Sequence, residues 1–288
     1  GVSVALQAPY LNYVLSTLAN QEEAQKSDLH IYSVNPHETS KAHVEGRVQD
    51  AMTMNQKETL SAIQIAFDHG LTQAEASYDF AAGEIINETN VDLGELEFLG
   101  AGLSHFKRSS AGRAHNVLKA LDLMNGIIIP PGETFKFNSH IGGPVTYANG
   151  WKGSNAIFGG NQLRVVPGGG ICQISTTVYR AALDAGLEIT QQRHHSLYID
   201  YYADPTEKVR EGLQGDGLDA TIYPGEQDMV FINNTPGYIL IEAYADDHDA
   251  VVNFYGTKDG RKTDFIGPFT TSNQTEEVKQ AVGDLDRT

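Results

Sequence analysis

One cysteine, Cys172, occurs in the 288 residues. A single thiol cannot form an internal disulfide, so no disulfide framework holds this chain together. Long apolar runs are missing too. Gly126-Ile127-Ile128-Ile129 and Tyr238-Ile239-Leu240-Ile241 are strand-length, well short of the roughly 20 residues of a membrane-spanning helix, so no membrane span is expected. Basic residues are scarce, with 20 Lys+Arg against 37 Asp+Glu and a net charge of −17. Such a surface repels phosphate backbones and anionic lipid, which argues against a nucleic-acid partner. The opening Gly1-Val2-Ser3-Val4-Ala5-Leu6 lacks the basic start and apolar stretch of a complete signal peptide. The expectation is a chain whose leader has been removed, or a cytosolic one.

What is present suits a well-cored protein of one large or two ordinary domains, with 40% hydrophobic and 20% charged residues. Tyr10, Leu11, Val14, Leu15 and Leu18 recur at helical spacing, Asp28 to Val34 alternates as a strand, and a second helix is predicted from Gln56 to Asp68 before the stop at Gly70. This reads as a small α+β domain over residues 1–95, with a polar linker near 83–97. A third helix starts behind Ser110 as N-cap and ends at Asn125-Gly126. Strands are predicted at 127–129, 134–138, 196–202, 219–223, 228–232, 238–244 and 250–255, and a helix runs from Cys172 to Ala185-Gly186. The predicted fold class is α+β, a mixed or antiparallel sheet with packed helices over residues 96–266, Cys172 at the N-terminus of a core helix, and a polar tail over 267–288.

The chemistry converges on Val166-Pro167-Gly168-Gly169-Gly170-Ile171-Cys172-Gln173-Ile174-Ser175-Thr176-Thr177. A cysteine in the first turn of a helix meets the positive end of the helix dipole and unpaired amides, both of which favour thiolate. Gly168, Gly169 and Gly170 leave room for a substrate, and amides from Gly170 to Gln173 can converge on an oxyanion. Gln173, Ser175 and Thr176 are candidate substrate contacts. The plain alternative is a glycine turn before a buried cysteine that packs as a small hydrophobe.

A thiol nucleophile needs a base, and His194-His195 follow 23 residues downstream. In a strand, His195 shares a face with Leu197, Ile199 and Tyr201, whereas His194 points the other way. That makes His195 the general base and Asp219 the residue that orients its ring. The alternatives are a satisfied core histidine and a turn aspartate. Adjacent histidines on opposite faces chelate poorly and no zinc spacing appears. Asp246-Asp247-His248-Asp249 reads as a solvated hairpin tip rather than a Ca²⁺ loop, and the glycine runs lack the Lys-Ser/Thr of a P-loop. No metal and no cofactor are expected.

These residues resemble the VanW-like family, whose core is a Gly-Gly-Gly-Ile-Cys-Gln run followed by Ser/Thr-Thr and a helix. The resemblance extends over Arg113, Asn116, Pro131 to Phe135, Phe137-Asn138, Gly150, His195-Ser196, Asp219-Ala220-Thr221, Asp228, Phe231 to Thr235 and Tyr255-Gly256. Lys136 departs from the small Ser usual there, and Arg193 stands two rather than three residues before the histidine. The N-terminal stretch resembles the domain that precedes VanW regions and some L,D-transpeptidase domains in envelope proteins. The resemblance implies an exported, cell-wall-associated bacterial protein with peptidoglycan or its stem peptides as partner. On that footing the leading expectation is a Cys172-His195-Asp219 site that hydrolyses or transfers peptidoglycan amide bonds through a thioester. The alternatives are a non-catalytic glycan- or peptide-binding module and an internal thioester between Cys172 and a glutamine.

Overall fold

The structure is a computed structural model that describes residues 8–22, 24–35, 41–158, 162–197, 199, 202 and 218–264. The chain divides into two compact units, one of residues 1–33 and 43–90, the other of 34–42 and 91–288. The residues read as a polar tail, as the chain's first segment and as most of the stretch between Tyr202 and Leu218 lie outside the described ones.

In the first unit, helix α1 (Ala8–Glu22) and strand β1 (Ser27–Asn35) follow the predicted order. Strand β2 (Lys41–Gln49) comes next, then β3 (Ala51–Met54). Helix α2 (Gln56–Asp68) has the predicted limits. The Asn55 side chain caps it by accepting from the Glu58 amide at 3.1 Å, satisfying one of the four donors a helix start leaves unpaired. Leu15 and Ala19 of α1 bury against Met54, with Leu60, Ile63 and Tyr78 around them. Strand β4 (Tyr78–Ala81) pairs with β3, and β5 (Ile85–Asn87) runs parallel to β1. The polar stretch read as a linker therefore carries a strand. With three residues it is too short to show an alternation.

The second unit is built on the antiparallel sheet β6-β14-β13-β7, formed by β6 (Glu97–His105), β7 (Ile128–Ile129), β13 (Ile239–Asp246) and β14 (Asp249–Gly256). The β13–β14 hairpin turns at Asp246 and Asp249, with Asp247 in the left-handed region at φ 53°. Two helices cover one face. α3 (Ala111–Met124) starts behind Ser110, whose hydroxyl accepts from the Arg113 amide at 3.3 Å. α5 (Ile171–Asp184) buries nearly every residue. Val117, Ala120, Leu121 and Met124 of α3 meet Ile174, Val178, Ala181 and Ala182 of α5 over Ile239, Ile241, Val252 and Phe254. Together they make one contiguous apolar cluster between the helices and the sheet, with Leu118 of α3 left exposed.

Helix α5 lies unusually close to β6. A Cβ on Gly102 would sit 1.9 Å from the Thr177 carbonyl oxygen, so only glycine admits the helix backbone there. Three smaller pieces complete the unit. Strand β8 (Thr134–Lys136) passes into a single turn α4 (Phe137–His140) and pairs with β12 (Val230–Ile232), which pairs with β11 (Glu188–Gln191). β9 (Gly153–Phe158) and β10 (Gln162–Pro167) form a hairpin.

Among the described residues, neither of the segments predicted as strands at 196–202 and 219–223 forms one. Ser196, Leu197, Ile199 and Tyr202 lie outside any strand, as do residues 219 to 222. Ile199 and Tyr202 instead bury in a small cluster with Leu197 and Ile157 of β9. An alternation of apolar residues arose there from local clustering, not from a sheet face.

Candidate active site

Cys172 is the second residue of α5, and Gly170 caps the helix at φ 109°, a conformation that L side chains rarely adopt. The turn uses its own amides sparingly: Ile171 N–H donates to Gly168 O at 3.1 Å and Gln173 N–H to Gly170 O at 3.0 Å. The Cys172 amide lies between them and, among the described residues, has no hydrogen-bond acceptor.

The glycines in front of it are packed under protein rather than lining an open groove. The space of a side chain on Gly168 is filled by Val145 and Ile171, on Gly169 by the carbonyls of Ser154 and Asn155, and on Gly170 by Arg113. Asn116 of α3 holds the loop, donating to the Lys152 and Gly169 carbonyls at 2.9 Å each and accepting from Lys152 N–H at 2.8 Å. The run thus brings the start of α5 close to α3 and β9.

The thiol has named neighbours. Its Sγ lies 3.7 Å from the Thr221 hydroxyl and 3.6 Å from the Ile222 carbonyl oxygen, and the His195 imidazole interacts with it by hydrogen bonding and charge. On the far side, Asp219 Oδ2 accepts from the His195 backbone N–H at 2.9 Å and from ring Nδ1. With Nδ1 so occupied, Nε2 is the nitrogen left for sulfur. The side chain of His195 is only 8% exposed, whereas His194 is exposed. The structure therefore brings Cys172, His195 and Asp219 together. It does so from two extended segments outside the sheets, and strand parity plays no part in the choice between the two histidines.

The titration of the three groups follows from this packing. Burial opposes ionisation of Cys172, but the contact and charge of His195 outweigh it and hold the thiol below its ordinary value. Burial likewise disfavours the imidazolium, yet Asp219 and Cys172 raise His195 to about 9. Asp219 also resists burial, and the two hydrogen bonds from His195 keep it below the usual carboxylate range. All three directions favour proton transfer from sulfur to imidazole near neutral pH, as a coupled pair.

The remaining candidates serve the frame. Gln173 is fully buried and donates to Ser104 Oγ of β6 at 3.0 Å, with its amide directed into the core. Ser175 and Thr176 are fully buried as well. Thr176 Oγ1 donates to the Cys172 carbonyl at 2.8 Å and accepts from Ala220 N–H at 3.1 Å, and Ser175 Oγ donates to the Ala220 carbonyl. These residues tie α5 to the Asp219 segment and offer no open surface to a substrate. The reason is helical geometry: positions three and four after Cys172 project from its own face of α5, which is covered by residues 219–222.

Sequence reading missed Thr221, whose hydroxyl faces the thiol, Tyr202, whose ring centroid is 5.7 Å from that of His195, and Arg180. A signal for Arg180 existed. Cys172, Thr176 and Arg180 recur every four residues, so a charged residue falls on the face that carries the thiol.

This α+β unit thus sets a helix-borne thiol beside an imidazole that a carboxylate holds. Residues 112–255, half of the chain, match the family model "VanW like protein", and the chain belongs to the VanW-like family. It is 31% identical over 159 residues to "Uncharacterized protein YoaR" of Bacillus subtilis (strain 168), an alignment covering 55% of this chain and 48% of that protein. It is 27% identical over 150 residues to "Vancomycin B-type resistance protein VanW" of Enterococcus faecalis (strain ATCC 700802 / V583), covering 51% and 50%. The chain spans about half the length of these curated relatives. No solved structure matches.

Proposed function

We propose that this is a cell-envelope protein that cleaves or transfers amide bonds of peptidoglycan stem peptides, using Cys172 as nucleophile. The observation that carries the reading is the thiol at the start of α5 facing an imidazole whose other nitrogen is held by Asp219. In the first step the Cys172 thiolate attacks the amide carbonyl and a C–S bond forms. The C–N bond then breaks as the His195 imidazolium gives its proton to the departing amine. In the second step water or an acceptor amine attacks the thioester, His195 takes its proton, and the thiolate leaves. The free Cys172 amide, at the positive end of α5, suits the developing oxyanion. The cell-wall setting is supported by the likeness to the enterococcal relative, a vancomycin B-type resistance protein.

The test is incubation of the purified chain with purified peptidoglycan and with soluble stem peptides, followed by mass spectrometry of both protein and products. New amine and carboxyl termini, or new cross-links, together with an acyl adduct on Cys172 that hydroxylamine removes, are expected. Product profiles identical for wild type and Cys172→Ala, with no adduct, would sink catalysis and leave a binding module.

A further inference from the structure

Arg180 sits on α5 about two turns beyond Cys172. Its residue surface is 3% exposed, a costly place for a guanidinium. Among the described residues it reaches no carboxylate at ion-pair distance. It donates instead to three main-chain carbonyls on three separate segments: Nε to Leu218 at 2.9 Å, Nη1 to Leu103 of β6 at 3.1 Å, and Nη2 to Tyr202 at 2.5 Å. Leu218 immediately precedes Asp219. Tyr202 supplies the ring that packs on His195, and the guanidinium lies 5.9 Å from the centroid of that same ring. One side chain therefore spans the helix of the thiol, the segment of the carboxylate and the wall of the imidazole.

We propose that Arg180 is a positioning residue that sets the geometry between the Cys172 thiol and the His195–Asp219 pair. The inference rests on the catalytic reading above. A planar fork with five donors can serve three divergent carbonyls at once, which the single nitrogen of a lysine cannot. The Asp219 charge also acts on the Arg180 guanidinium. Among the described residues the other titratable groups facing the pair are Tyr202, whose ring packs on His195, Tyr179, kept neutral by burial and by the Asp219 charge, and His194, whose charge acts on Asp219.

Because Cys172 is the only thiol, its alkylation by iodoacetamide reports one site. The rate is measured by intact mass from pH 4 to 10 in wild type, Arg180→Lys and Tyr202→Leu, with circular dichroism and thermal midpoints alongside. Wild type is expected to react well below pH 7. In folded Arg180→Lys the midpoint should move up by about one pH unit, so that at any pH on the acid limb of the wild-type profile the rate falls roughly tenfold. Tyr202→Leu, which keeps the arginine and its carbonyl bonds, should move it the same way. A folded Arg180→Lys with the wild-type profile overturns the proposal. If Arg180→Lys does not fold, an unshifted Tyr202→Leu overturns it. A wild-type thiol silent below pH 8 is a different failure: it removes the catalytic reading, and the positioning role falls with it.

Discussion

Asp219 Oδ2 accepts two hydrogen bonds from one residue, the backbone N–H of His195 at 2.9 Å and the Nδ1 of its ring. The first fixes where the histidine sits and the second fixes how its ring is turned. Asp219→Asn preserves an acceptor for the backbone bond while removing the charge that stabilises imidazolium. His195 should then fall from about 9 toward its ordinary value near 6.5. Chemistry that needs imidazolium as acid should lose its alkaline limb at a pH one to two units lower, read by an NMR titration of the His195 ring.

His195→Ala should lower Cys172 alkylation at pH 6.5 by about tenfold or more. The sign follows from the balance at sulfur. Once the imidazole is gone, burial remains and pushes the thiol up, so the thiolate fraction at that pH drops. Intact-mass kinetics check this, and a rate within twofold of wild type would refute the pairing.

Thr176→Val should cost about 1–3 kcal/mol by denaturant unfolding, because it leaves the buried Ala220 amide without its acceptor. Ser175→Ala removes a donor to carbonyls only and should cost less, about 1 kcal/mol. Equal losses in the two variants would contradict the difference in their partners.

Gly102→Ala places a methyl where the Thr177 carbonyl oxygen already stands, and α5 must move off β6 to admit it. Destabilisation at or beyond the roughly 1–3 kcal/mol of core overpacking is expected. Gly132→Ala, at a positive φ of 78° but with open space around it, should cost only the roughly 1–2 kcal/mol of the backbone conformation. Thermal or denaturant melts of both variants separate the two causes.

His140, stacked on Phe135 with ring centroids 5.0 Å apart, is lowered to about 4 by burial and by the charge of Lys41. A folded-state value below the unfolded one means that the unfolded chain binds the proton first. Stability should therefore fall as pH drops from about 6.5 toward 4. His140→Phe should be more stable than wild type by on the order of 1–2 kcal/mol at pH 5, with that gap closing at pH 8. Urea unfolding at the two pH values measures it.

Helix α2, the start of α3 behind Ser110 and the β13–β14 hairpin were legible because each combines a strong period with a local stop or cap. Cys172, His195 and Asp219 were legible as residue types in an order, but their meeting was not. The strand inferred for residues 196–202 rested on an alternation that Ile199 and Tyr202 owe to packing on Ile157. Gly168 to Gly170 read as room for a substrate, whereas Val145, Ile171, Arg113 and the β9 carbonyls occupy that space. Arg180 escaped because a charged residue on a helix is ordinarily read as solvated, and its three acceptors are main-chain carbonyls that carry no signature in a sequence.

The bare backbone contact between Gly102 and Thr177 leaves α5 no cushion of side chains on which to slide. Sulfur is thereby the stationary member of the site. Its partners ride on segments that, among the described residues, lie outside the sheets, and side-chain bonds from α5 hold the Asp219 segment in place. The site therefore has one side set by main chain against main chain and one held through side-chain hydrogen bonds, so substitutions on α5 can shift the imidazole and the carboxylate without displacing the sulfur.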